Sequence, residues 1–319
     1  MLDRLSRNVP LRPLTTLKAG GDAELFFASR SVDEIAEVAL RAQQTNLHVT
    51  TLGSGSNVLP SDDGVAGLVL YNQAANILVD GDGEVTADTG CWFQDLFLAT
   101  AQAGLHGLEF AVGIPGTLGG ALVSNAGAYR SNVSDHLTEI EIVFEGERRW
   151  VDPEFMQFSY RDSILRRQEP PQCVMLRTRF RLPKADAKGI YDEAREYQRQ
   201  RISKQPAPAS AGSFFKNVYD QGLADSLDDL PDPLKEAGVV PSGYLIEAVG
   251  LRGFKYAGAM IATRHANFIV NSGGAKASAI RQLAEYAKRA VRERFGVELE
   301  EEVLYLGDWS GFRTERIPD

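Results

Sequence analysis

Apolar positions recur along the chain with two clear periods, helical and strand-like, and glycine marks most of the breaks between them. In "SVDEIAEVALRAQ", Val32, Ile35, Ala39 and Ala42 fall on one stripe, and Ser31 stands where it can cap the helix with Glu34 in capping-box position. The β-like run "LHVTTL" follows, then the loop "GSGSN", then "GLVLY", "NILVD" and "EVTAD", three short strand candidates whose spacing predicts a small mixed sheet. "CWFQDLFLATAQAG" reads as an amphipathic helix stopped by Gly104. From Thr138 to Leu182, strand candidates ("TEIEIVFEG", "RRWVD", "QCVMLRTRFRL") alternate with turns. "DAKGIYDEAREYQRQRISK" predicts a polar, charged helix that ends in "QPAPASAG", a linker or domain crossing. Beyond it, "SGYLIEAVG" is a short helix and "NFIVN" a strand. "KASAIRQLAEYAKRAVRERFG" is a long helix with Ile280, Leu283, Ala287 and Val291 inward and Gly296 as its cap. The chain shows no internal repeat.

With 319 residues, 44% hydrophobic and 24% charged, the chain has room for two or three cores without disulfide staples. No apolar run approaches the roughly 20 residues that span a bilayer, and the N-terminus lacks the apolar core of a signal peptide, so a cytoplasmic protein without membrane contact is expected. The formal charge of −9 disfavours nucleic acid as a partner, so any anion site must be local. Cys91 and Cys173 lie far apart without metal-ligand spacing and are expected as buried small apolar groups.

Two glycine loops carry the first chemistry. Gly53, Ser54, Gly55, Ser56 and Asn57 follow a strand, where backbone N–H groups and missing side chains let a pyrophosphate come close. The loop lacks the third glycine and the following helix of a Rossmann fingerprint. "GIPGTLGG", residues 113–120, lacks the Gly-Lys-Ser/Thr ending of a P-loop but fixes a rigid, uncovered backbone, and "NAGAY" follows almost at once. Together the loops fit a long cofactor in an extended groove, one loop at its pyrophosphate and the other beside its ring.

In order along the chain, "TTLKAGGDAEL", "GSGSN", "GLEFAVGIPGTLGGALVSNAGAY", "SYRDS", "SAGSFFKN", "RHANFIVN" and "ELEEEVLYLG" resemble the motifs of the UDP-N-acetylenolpyruvoylglucosamine reductase (MurB) family of peptidoglycan synthesis. The resemblance runs from about Asn8 to about Gly307, and "RFRLPK" to "SAGSFFKN" is short, as in the subtype lacking an extra tyrosine-bearing loop. It implies an α+β, three-domain flavoprotein. Two N-terminal domains would form a non-Rossmann FAD-binding fold of the PCMH/VAO type (residues 1–66 joined by 297–319, and 67–203), and 204–296 would form an α+β substrate-binding domain. It also implies non-covalent FAD, NADPH as co-substrate, a small-molecule UDP-sugar enolpyruvate as substrate, and a monomer. Flavin contacts would come from Gly53, Ser54, Gly55, Ser56 and Asn57, from Gly113, Ile114, Pro115, Gly116, Thr117, Gly119 and Gly120, and from Asn125, Gly127 and Ala128.

Family members reduce a vinyl ether by hydride transfer through FAD, which leaves negative charge on the neighbouring carbon and its carboxylate. Ser213 matches the proton donor, on a glycine-flanked segment where Lys216 and Asn217 are at hand to make it more acidic. Arg161, in "SYRDS", matches a guanidinium that holds the carboxylate bidentately. In "LEEEVLYLG" the strand period alone does not choose between Glu301 and Glu302; the family register, in which the acid directly before valine acts, picks Glu302 as an acid toward the enolate. Tyr129, Tyr160, Lys204, Asn217 and Lys255 resemble substrate contacts. The chain departs from the family at Ser54 for glycine, Val218 for proline and Leu304 for arginine. The alternatives are a non-catalytic flavin- or nucleotide-sugar-binding paralogue, which Leu304 and Val218 would suit, and another FAD oxidoreductase of the same fold, against which the intact Ser213, Arg161 and Glu302 argue.

Overall fold

The computed structural model describes residues 4–204 and 209–317, with Ser203 and Lys204 described by their backbone alone; part of the Pro- and Ala-rich run after Lys204 lies outside the described residues. The chain forms two compact units: one of Ala23–Gly55, Val65–Ser203 and the stretch ending at Val9, the other of Pro10–Asp22, Ser56–Gly64 and the stretch from Lys204 onward.

In the first unit, β1 (Ser6–Pro10), β2 (Asp22–Ser29), β3 (Val49–Leu52) and β5 (Val65–Asn72) form a sheet in the order β1-β2-β5-β3. Between β2 and β3 runs α1 (Val32–Gln44), whose Ser31 side chain accepts from the Glu34 N–H, as the capping box predicts. That helical crossover leaves both β2 and β3 parallel to β5, Phe26 facing Val69 and Thr50 facing Val69 from the other side. The second sheet has the order β11-β10-β12-β7-β6, built from β6 (Ile77–Val79), β7 (Glu84–Asp88), β10 (Leu137–Phe144), β11 (Glu147–Val151) and β12 (Val174–Arg181), antiparallel throughout. The single mixed sheet expected over "GLVLY" to "EVTAD" is therefore split between two sheets. The helix-linked strands go to a parallel arrangement, whereas the Gly- and Asp-rich turn at 80–83 folds β6 onto β7 as a hairpin. Ile35, Ala36 and Ala39 of α1 pack with Phe27, Leu68 and Leu70, and also with Val143, Val174 and Leu176 of the second sheet. The other face of the second sheet packs under α2 (Phe93–Gln102), through Phe93, Leu96 and Phe97. α2 ends at Gly104 with φ +70°, the left-handed stop the sequence predicts. Within the run read as a glycine loop lies a short helix, α3 (Leu118–Val123), and after it the hairpin of β8 (Gly127–Ala128) and β9 (Ser131–Asn132). The charged helix α4 (Ala187–Lys204) closes the unit.

In the second unit, β4 (Val58–Pro60) pairs in parallel with the last strand, β18 (Leu304–Leu306). A two-stranded ladder joins β13 (Val218–Tyr219) to β14 (Val239–Val240), with α5 (Gln221–Ser226) and α6 (Asp232–Glu236) between them. α7 (Ser242–Ala248) leads to the meander β15 (Lys255–Tyr256), β16 (Ala259–Ile261) and β17 (Ile269–Asn271). α8 (Ala277–Phe295) packs on β16 and β17 through Ile280, Leu283, Ala287 and Val291, all fully buried as their spacing predicts. Gly296 caps α8 at φ +72°, and the Asp62 carboxylate accepts from the Ala277 and Ser278 N–H groups (2.8 and 2.9 Å) at its other end. The last strand is shorter than "LEEEVLYLG" suggests: it begins at Leu304, and the three acids precede it.

Cys91 is fully buried and Cys173 half-buried, and burial pushes both thiols up to about 12. Among the described residues no helix is long and apolar enough to cross a membrane.

Candidate functional site

The two glycine loops meet in the first unit at Gly53 and Thr117. A Cβ on Gly53 would lie 2.2 Å from Thr117 Oγ1, so only glycine lets the loops touch. Thr117 is fixed in turn: its hydroxyl accepts from the Gly120 N–H at the start of α3, and Phe93 N–H to Gly116 O (3.0 Å) and Leu118 N–H to Cys91 O (2.9 Å) bracket it. The N–H groups of Gly113, Ile114, Leu118, Gly119 and Gly120 are committed to Gln94, Ala111, Cys91, Thr89 and Thr117, so these residues shape the loop. Pro115 adds the fixed φ that keeps this turn from relaxing. Among the described residues, two side-chain atoms beside the loops are buried without a hydrogen-bond partner: Ser54 Oγ and Asn125 Oδ1. Asn125, at 5% exposure and φ +41°, uses its other amide atom on Ser159 O (3.0 Å).

Gly127 and Ala128 continue the same hairpin, and Gly127 O accepts from the Arg161 guanidinium. Arg161 has φ +53° and lies 5.3 Å over the ring of Tyr160, itself 41% exposed. Tyr129, at φ +55°, stacks on Tyr197 of α4 with centroids 3.8 Å apart and donates its hydroxyl to Tyr197 O (3.2 Å). One helical turn on, Arg201 reaches over the Tyr129 ring (5.7 Å), donates to Phe110 O (3.2 Å), and keeps its Nε buried without a hydrogen-bond partner among the described residues. Burial lowers the Arg201 pKa, Tyr129 opposes that shift and Arg161 adds to it. Sequence reasoning missed Tyr197 and Arg201; their i,i+4 spacing in a charged helix was the available signal. Lys204 ends α4, and its side chain lies outside the described residues.

In the second unit, the chain at 212–217 is an extended segment wedged between two partners. Gly212, at φ +77°, turns into it; Ser213 is half-buried; Phe214 and Phe215 are fully buried anchors. On one side Asn267 holds the segment: Phe214 N–H donates to its backbone oxygen (2.7 Å), Phe215 N–H to Oδ1 (3.0 Å), and its Nδ2 donates to Phe215 O (2.8 Å). On the other side run the acids: Phe215 bridges Glu301, Lys216 N–H donates to Glu300 O and Glu302 N–H to Phe214 O, each 2.8 Å. Ser213 Oγ makes no hydrogen bond among the described residues, unlike a turn serine capping its own backbone. Lys216 does not stand available to make Ser213 more acidic: its ammonium pairs with the Glu300 carboxylate, because extended backbone sends alternate side chains to opposite faces. Asn217 follows, half-buried, into β13; Lys255 is exposed on β15. Glu301 is held by Lys288 of α8 (2.8 Å). Glu302 is fixed through its main chain, its carbonyl accepting from Asn57 Nδ2 (3.1 Å). The loop Gly53–Asn57 is thus where the chain passes between units: Gly53, Ser54 and Gly55 belong to the first, Ser56 and Asn57 to the second.

The residues fit a flavin dinucleotide. Gly53 packs bare against Thr117, and among the described residues Ser54 Oγ and Asn125 Oδ1 are buried polar atoms without a hydrogen-bond partner, of the kind that the phosphates, hydroxyls and ring amide of FAD could satisfy.

The comparisons agree with this. A family model described as UDP-N-acetylenolpyruvoylglucosamine reductase, C-terminal domain, matches residues 203–306, and one described as FAD binding domain matches 23–151. The chain is 38% identical to the UDP-N-acetylenolpyruvoylglucosamine reductase of Nostoc punctiforme, over 94% of this chain and 86% of that one. It is 35% identical to that of Bacillus subtilis, over 94% and 93%. The crystal structure of UDP-N-acetylenolpyruvylglucosamine reductase from Thermus caldophilus superposes with a TM-score of 0.74 at 31% identity, covering 95% of this chain and 99% of that one.

Proposed function

The chain belongs to the UDP-N-acetylenolpyruvoylglucosamine reductase family, and from that premise we propose that it reduces UDP-N-acetylglucosamine enolpyruvate to UDP-N-acetylmuramate for peptidoglycan synthesis, with FAD as cofactor and NADPH as reductant. When bound, FAD supplies a hydride, taken from NADPH, to the terminal carbon of the enolpyruvyl group. Gly53, Ser54, Gly55, Ser56 and Asn57, with 113–120, Asn125, Gly127 and Ala128, form the cofactor site in this reading. Arg161 holds the carboxylate and strengthens its hold as charge builds there. Ser213 Oγ gives its proton to the carbon beside the carboxylate, and Glu302, kept protonated, donates a hydrogen bond to the enolate without transferring its own proton. Tyr129, Tyr160, Lys204, Asn217 and Lys255 contact the nucleotide sugar.

The observation that carries the reading is the main-chain bond from Glu302 N–H to Phe214 O, which ties the acid's own backbone to the residue after Ser213. Lys288 on Glu301 supports Glu302 over its neighbour as the acting acid. The reading also includes a three-part division (1–66 with 297–319, 67–203, 204–296), a monomer and a cytoplasmic setting.

Anaerobic stopped-flow absorbance at the flavin band tests it, with NADPH added first and the enolpyruvyl substrate second. Wild type and Ser213→Ala both bleach with NADPH, and only the wild type promptly regains colour with substrate. Bleached wild type that the enolpyruvyl sugar fails to restore overturns the substrate assignment and leaves the flavin site standing.

A further inference from the structure

Asn57 closes the glycine loop expected to contact flavin, yet its side-chain nitrogen is spent elsewhere. Nδ2 donates to Glu302 O (3.1 Å), and Asn57 O accepts from Leu304 N–H (3.0 Å). Both bonds sit at the open end of the two-stranded ladder in which Val58 faces Leu304. A ladder of two strands and three residue pairs is weak alone, and its ends fray first. The Asn57 amide prolongs it by one bond, onto the residue that the proposed function makes the acid. The Glu302 N–H, in turn, goes to Phe214 O beside Ser213.

We propose that Asn57 is a positioning residue: its side chain fixes the main chain of Glu302 and so aims the carboxyl used in the second half-reaction. This rests on the reading of Glu302 given above. The physical requirement is steep, because a misplacement of about 1 Å in a reacting group is worth about 100-fold in rate. An exposed asparagine in a glycine loop would have no such effect.

Asn57→Leu keeps the side chain's size and removes the donor, and Asn57→Asp keeps its shape and removes the same donor. In both, measured on flavin-saturated protein, substrate-driven reoxidation of the flavin slows about 10- to 100-fold, a larger factor than any slowing of reduction by NADPH. In a Glu302→Gln background, Asn57→Leu slows reoxidation by less than about 2-fold further, since residues acting through one another are not additive. In flavin-free protein, hydrogen exchange at residues 302–304 is faster in Asn57→Leu than in wild type. Equal slowing of both half-reactions, the same loss with or without Glu302, or unchanged exchange at 302–304 each overturns the proposal. If wild type is never reoxidised by the enolpyruvyl sugar, the function reading fails by itself, and the exchange result still decides whether Asn57 tethers Glu302.

Discussion

Asn267 is the residue on which the shape of the Ser213 segment depends most. Its amide makes two hydrogen bonds to the main chain of Phe215, at 3.0 and 2.8 Å, with Asn267 at 4% exposure and Phe215 at 1%. Truncation to alanine leaves one buried N–H and one buried C=O of Phe215 without these partners, each costing about 1–3 kcal/mol, so about 2–6 kcal/mol in all. The backbone bond from Phe214 N–H to Asn267 O survives, which keeps the segment attached while loosening it. At about 2–4 °C per kcal/mol for a unit of this size, the midpoint of unfolding falls by roughly 4–24 °C. Asn267→Leu fills most of the volume that alanine leaves empty, so a similar loss in both variants assigns it to the hydrogen bonds and not to a cavity. The assay is thermal melting followed by far-UV circular dichroism, with the two flavin half-reactions measured at 25 °C on protein that remains folded. Reoxidation by substrate slows more than reduction by NADPH, because Ser213 sits on the loosened segment. A midpoint within about 2 °C of wild type for both variants refutes the clamp.

Two further outcomes follow from the first unit. Gly53→Ala places a methyl 2.2 Å from Thr117 Oγ1, and displacing Thr117 also disturbs the cap of α3; flavin affinity, read by fluorescence titration of the flavin-free protein, falls about 10-fold or more, and a change below about 2-fold shows that the loops separate without consequence. Glu141, fully buried, would be pushed up by its desolvation, but Arg177 (2.6 Å) and Arg148 (2.8 Å) overcome it and hold the carboxyl below its ordinary range. Its stabilisation is thus complete above the unfolded carboxylate value and is lost as pH falls through the lower folded value; Glu141→Gln destabilises by about 2–4 kcal/mol at pH 7 and by less at pH 3, and a difference that does not shrink with acid refutes the pairing.

Much of the local structure was legible in the sequence because it depends on neighbours within a turn or two. Ser31 and Glu34 mark the start of α1, Gly104 and Gly296 stop α2 and α8, and the apolar stripe of α8 is the stripe that is buried. The sheet plan was not legible in the same way: a strand's partner is decided by the connection that brings it back, so β3 and β5 went to one sheet and β6 and β7 to another. α3 was hidden because "GTLGGALV" has glycine where a helix former is usual, and tertiary contacts hold it instead: the Thr117 cap, the bonds of Leu118 and Gly119 N–H to Cys91 and Thr89, and the burial of Leu118, Ala121 and Leu122.

By itself the sequence determined the motif order, the family and the residue types that a flavin-dependent reduction of an enolpyruvyl ether needs. Only the tertiary structure decided how those residues are held. The two acids that strand period left equivalent are separated because α8 presents Lys288 to Glu301, while Glu302 is gripped by Phe214 and by Asn57 from 245 positions away. Asn267 reaches Phe215 across 52 positions, and Gly53 meets Thr117 from a different loop. Local periodicity carries no information about such contacts, since each is fixed by the packing that folds distant stretches of chain against one another.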